Sequence, residues 1–102
     1  MKIEVSEKDF IKNVKKCIRE AASYNCELGG VVQLYATHDG EKITEYFTSV
    51  FPSCNSWIEG ENLIHVTTYN YMTKNQYKNM GIEESVRYAM YRLEERFDIK
   101  WV

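Results

Sequence analysis

Val31-Val32-Gln33-Leu34-Tyr35-Ala36-Thr37-His38-Asp39-Gly40-Glu41-Lys42-Ile43-Thr44-Glu45-Tyr46-Phe47-Thr48-Ser49-Val50-Phe51 sets Asp39-Gly40 between two runs of β-branched and aromatic residues. That dipeptide in that setting is a strong hairpin signal, because a two-residue type I′ turn needs positive φ at both central positions. With such a turn His38 faces Glu41, Ala36 faces Ile43, Leu34 faces Glu45 and Val32 faces Phe47. The pleat sends these residues to one side, apolar except for His38 and Glu41 at the tip and Glu45 in the middle. The opposite side collects Gln33, Tyr35, Thr37, Lys42, Thr44, Tyr46 and Thr48.

A third strand is expected from Asn62 to about Tyr71, with Ile64 and Val66 on one side and His65, Thr67, Tyr69 and Tyr71 on the other. Beside the hairpin it extends both faces. The second face then holds Tyr35, Tyr46, His65, Thr67 and Tyr69. Tyrosine gives a large contact area at low entropic cost and is enriched in binding hot spots, so this face is the expected seat of a protein partner. The plainer account is that Thr and Tyr suit a solvated antiparallel face. Pro52 ends the second strand, since it cannot donate to a ladder. Cys54 falls in the Ser/Asn-rich loop that follows, and Trp57 and Ile58 are expected to tuck beneath the sheet.

The flanks read as helices. Ser6-Glu7-Lys8-Asp9 is a variant capping box, with Val5 and Phe10 placed as a hydrophobic staple. Phe10, Ile11, Val14, Ile18, Ala21 and Ala22 then fall at helical spacing, predicting a helix over about 7–24 that ends near Asn25. Its outer face carries Lys12, Lys15, Lys16 and Arg19. Thr73-Lys74-Asn75-Gln76 is a second capping box, opening a short helical turn that Gly81 interrupts. From Ile82 a stripe of Ile82, Val86, Ala89, Met90, Leu93 and Phe97 predicts the last helix, with Glu83 and Arg87 spaced to pair. Tyr88, Tyr91, Arg92, Glu95 and Arg96 lie on or near its outer face. Ile3–Val5 and Ile99–Val102 suit short edge strands at the two termini. The fold expected is α+β, one domain over residues 1–102, with a helix, a three-stranded antiparallel sheet and a helix (an αβββα core). The same order occurs in double-stranded-RNA-binding domains. Those open the last helix with a basic cluster, where this chain has Gly81-Ile82-Glu83-Glu84, so the comparison stops at element order.

The 102 residues suit a single globular domain, with 44% hydrophobic and 27% charged residues. A formal net charge of -2 excludes a histone-like basic domain and is too mild for an acidic nucleic-acid mimic. No apolar run approaches ~18 residues, so no membrane span is expected, and Met1-Lys2-Ile3-Glu4 lacks a signal-peptide pattern. The reading is a cytoplasmic protein with reduced thiols. Cys17, Cys26, Cys54, His38 and His65 fall at no metal-ligand spacing, and no phosphate-cradling glycine motif occurs. Neither metal nor cofactor is expected.

The function expected is therefore a small non-enzymatic protein that binds another protein, an inhibitor or adaptor, through Tyr35, Tyr46, His65, Thr67 and Tyr69. Tyr88, Tyr91 and Arg92 are the fallback surface should the sheet face be covered. A second copy of the chain is one candidate partner. Nine lysines against four arginines, with many Asn, Ile and Tyr, suggest an AT-rich genome of phage or mobile-element type, where anti-defence inhibitors occur. The alternative is a nucleic-acid-binding module using Lys12, Lys15, Lys16 and Arg19. A third reading is a small enzyme in which Cys54 or a core-facing Glu45 works with a histidine.

Overall fold

The structure is a computed structural model that describes residues 2–24, 29–51, 58 and 60–102. The elements run β1 (Ile3–Val5), α1 (Glu7–Ala22), β2 (Val31–His38), β3 (Ile43–Phe51), β4 (Leu63–Asn70), α2 (Lys74–Asn79), α3 (Ile82–Arg96) and β5 (Ile99–Trp101). The fold is α+β with the expected αβββα core.

Ser6 caps α1, its hydroxyl accepting from the Asp9 N–H at 3.3 Å, and the staple residues Val5 and Phe10 are fully buried. The helix buries Phe10, Val14, Cys17, Ile18 and Ala21. It stops at Ala22, slightly short of the expected end, because the Ser23 N–H and hydroxyl both bond back to the Glu20 carbonyl, at 3.0 and 2.6 Å. In α2 the capping box between Thr73 and Gln76 is complete in both directions. The terminal strands form a small sheet of their own, linked to the start of β3 through a single bridge between Glu4 and Lys42. β1 and β5 pair with each other in parallel, Ile3 opposite Ile99 and Val5 opposite Trp101.

β2 is the centre of the three-stranded sheet, antiparallel to β3 on one side and β4 on the other. Its Val32, Leu34 and Ala36 join Ile64 and Val66 of β4 in one core with Val14 and Ile18 of α1 and Val86, Ala89 and Leu93 of α3. α1 packs on β2 and β4, and α3 packs on α1 and β4. Gly30 leads into β2 at φ +116°, where a Cβ would meet the Tyr71 ring at 2.8 Å. Only glycine fits there without displacing β4's exit.

The hairpin register differs from the one expected. Ala36 pairs with Tyr46, Leu34 with Thr48 and Val32 with Val50, a slip of three residues. An odd slip turns every β3 side chain to the other face. The turn chemistry explains it. Among the described residues no non-glycine has positive φ, so Asp39 cannot take the first central position of a type I′ turn; Gly40, at φ +92°, is left-handed alone. The Asp39 carboxylate instead accepts from the Glu41 and Lys42 N–H groups, at 2.9 and 3.0 Å, an Asx turn that lengthens the loop. A bulge between the Thr37 and His38 pairings absorbs one more residue of β3.

Candidate protein-binding site

The corrected register divides the expected tyrosine face. Tyr46 now points to the helix side, packs edge-on against Phe10 with ring centroids 6.4 Å apart, and is half-buried. Its burial and the neighbouring Asp9 push the phenol up to about 12. Tyr69 also packs against the core, its hydroxyl bonded to Ser85 of α3 at 2.8 Å. Tyr35 and His65 stay on the face away from the helices. Tyr35 is 0% exposed, stacked on Phe47 at 5.3 Å and edge-on to His65 at 5.5 Å. Its hydroxyl donates to Gln33, itself 0% exposed, and accepts from the Ile58 N–H at 3.0 Å. Thr67, opposite Leu34, is half-buried. These five residues do not form one open patch.

The outer face of α3 does. Tyr88 and Tyr91 are 60% and 57% exposed, and Arg92 reaches the Tyr88 hydroxyl at 3.4 Å. Tyr88, Arg92 and Arg96 recur every four residues, so they form one row along the helix. That row and Ala89 form one wall of a cleft of about 330 Å³, whose other wall is His65-Val66-Thr67-Thr68 of β4. Arg96 donates to the Arg92 carbonyl at 3.3 Å and lies 5.6 Å from the Phe97 ring centroid. Partial burial and the Arg92 charge lower its pKa. His65 bonds the Thr68 hydroxyl at 2.7 Å; burial and the Arg96 charge push its pKa down to about 4, leaving it neutral at pH 7. Sequence reading placed Arg96 on or near this outer face with Tyr88, Tyr91 and Arg92 but did not count it among the binding residues, although the four-residue spacing marks it as the next member of the row.

The basic face of α1 is diluted. Lys15 pairs with Glu83 at 3.5 Å, the acid that spacing assigned to Arg87, and leaves Lys12, Lys16 and Arg19 exposed beside Glu20. The enzymatic candidates fare differently from one another. Glu45 is exposed on the face away from the helices, which overturns its placement toward the core. Cys17 is buried beneath the Val32 carbonyl, and burial, aided by Glu20, raises its thiol to about 12. Cys26, Cys54 and Trp57 lie outside the described residues, while Ile58 is 48% exposed rather than tucked under the sheet. His38 accepts the Gly40 N–H on Nδ1 at 3.0 Å, a turn-closing role. Among the described residues no three His, Cys, Asp or Glu side chains gather where they could hold a metal ion, and no helix is long and apolar enough to cross a membrane. Comparison with protein-family models, with curated proteins and with solved structures finds no match to this chain.

Proposed function

We propose that this chain is a small non-enzymatic protein-binding protein, an inhibitor or adaptor that engages its partner through the outer face of α3. The observation that carries the reading is the exposure of Tyr88 and Tyr91, more than half open on one face of one helix with Arg92 against the Tyr88 hydroxyl. Large aromatics left in water offer apolar area to a partner, and Tyr and Arg are among the residues enriched in hot spots. The inhibitor role and the phage or mobile-element origin rest on composition alone.

Affinity capture from lysate of the producing cells tests the reading with three folded baits. These are the wild-type chain, a Tyr88→Ala/Tyr91→Ala variant and a Lys12→Glu/Lys16→Glu variant. A protein held by the first and third baits and lost by the second supports the α3 face. Loss with the α1 variant, together with steep salt dependence, supports nucleic-acid binding instead.

A further inference from the structure

Opposite Leu34 and Tyr35 of β2, strand β4 supplies Thr67, Val66 and His65, one residue more than the pairing uses, so β4 bulges at Val66. A bulge re-aims side chains, which is how four consecutive residues, His65 to Thr68, come to line one wall of the cleft against α3. The facing wall is the helical row of Tyr88, Arg92 and Arg96, with the buried Ala89 behind it. Its volume, about 330 Å³, lies at the lower end of the range that small organic ligands fill.

The helix wall carries two positive charges. Among the described residues neither Arg92 nor Arg96 has a carboxylate within ion-pair distance. The acids of the same helix end are engaged elsewhere: Glu94 accepts from the Trp101 indole at 2.8 Å, and Glu95 lies against the Tyr91 phenol. The two guanidiniums feel each other: after partial burial, the charge of Arg92 is what lowers the Arg96 pKa. Like charges on successive turns of a helix repel, and an anion set between them removes the repulsion. Most of their donors are unused. Of five N–H groups on each, Arg92 gives one to the Tyr88 hydroxyl and Arg96 gives its Nε–H to the Arg92 carbonyl. The Tyr88 hydroxyl, accepting from Arg92, keeps its own proton to donate.

The donor set selects among anions. A carboxylate or a phosphodiester brings one charge. A phosphate monoester brings nearly two charges and three acceptor oxygens, which match two forked guanidiniums and a phenol. The rest of the cleft, along Val66, Ala89 and the Tyr88 ring, takes the group that bears the phosphate.

We propose that the cleft between β4 and α3 binds a phosphate monoester, its terminal oxygens held by Arg92, Arg96 and the Tyr88 hydroxyl. The shared chemistry is that of a small phosphorylated molecule or of a phosphorylated side chain. The site goes beyond the protein-binding reading and is tested without any cellular partner.

The test titrates the folded full chain with glycerol 3-phosphate and with a phosphoserine pentapeptide, followed by two-dimensional NMR of the arginine side chains. Acetate, dimethyl phosphate and the unphosphorylated pentapeptide are the controls. Either phosphorylated probe should shift the Arg92 and Arg96 signals and be displaced by inorganic phosphate, at least tenfold ahead of every control. Binding of the glycerol phosphate supports the small-molecule source, and binding of the peptide alone supports the side-chain source. Arg92→Gln and Arg96→Gln should each weaken binding at least tenfold, with Arg92→Lys intermediate because it keeps the charge and loses the fork. Lys12→Glu/Lys16→Glu should leave binding unchanged. Arg92 is exposed, so its Gln variant keeps the fold and carries the test should Arg96→Gln unfold the chain. Silence of the arginine signals toward both phosphorylated probes overturns the proposal. So does equal binding of acetate or dimethyl phosphate, or full binding by Arg92→Gln. If the phosphate probes fail while Tyr88→Ala/Tyr91→Ala still releases a captured protein, the phosphate site falls and the α3 reading stands.

Discussion

The hydroxyl of Tyr69 and Oγ of Ser85 share a 2.8 Å hydrogen bond that ties β4 to the first turn of α3. The bond joins the two elements that wall the cleft, so Tyr69 holds the site open from behind rather than presenting itself to a partner. Tyr69→Phe should cost about 1 kcal/mol, the net worth of one hydrogen bond. Tyr69→Ala should cost roughly 2–3 kcal/mol, less than a fully buried aromatic because Tyr69 is half-buried. Urea midpoints check both. Unchanged midpoints with lost partner binding would return Tyr69 to the role of contact residue.

The core prediction concerns the surfaces on which α1 and α3 meet the sheet. Ile18, Val86 and Leu93 are 0%, 4% and 1% exposed. Truncating Ile18 or Leu93 to Ala should cost ~2–5 kcal/mol, and Val86 somewhat less because it removes fewer atoms. Equilibrium denaturation measures each, and losses under roughly 1 kcal/mol at all three would mean the helical faces are misplaced.

Acidification should weaken the protein through His65. Its folded pKa, pushed down to about 4, lies below its unfolded value of 6.5, so the unfolded chain binds the proton more readily between those values. Stability is therefore fully present above about pH 6.5 and falls as pH drops toward 4. With the ring only partly shielded from solvent, the loss is about 1 kcal/mol. The difference in unfolding free energy between wild type and His65→Gln should shrink across that window. A constant difference from pH 7 to 4 would show that His65 titrates normally.

Cys17 should resist modification. It is 0% exposed and its thiol is raised to about 12, so both access and thiolate are lacking. Timed alkylation with peptide mapping should find Cys17 at least ~100-fold slower in the native protein than in urea. Rapid native labelling would place Cys17 at a surface.

The helices and the αβββα order were legible because capping boxes and 3.6-residue stripes are local signals, as the Ser6 cap and the Thr73–Gln76 box illustrate. The hairpin register was not. Asp39-Gly40 identifies a turn, but whether Asp39 takes positive φ or folds its carboxylate onto Glu41 and Lys42 is decided by what the strands bury. That choice moved Tyr46 from the expected open face to the core and Glu45 from the core to solvent. Tyr88, Tyr91 and Arg92 were legible because a helix face depends on spacing alone. The cleft itself joins residues 65–68 to 88–96, and no local pattern reports which side of the sheet α3 will close.

The claim that α3 presents the binding surface is tested most directly by photo-crosslinking in the producing cells. p-Benzoylphenylalanine is placed at Tyr91 in one strain and at Lys16, on the exposed face of α1, in another. The account predicts a covalent adduct with one defined protein from position 91 and none from position 16, abolished when Tyr88→Ala is added. Adducts from position 16 alone, or to nucleic acid from either position, would contradict it.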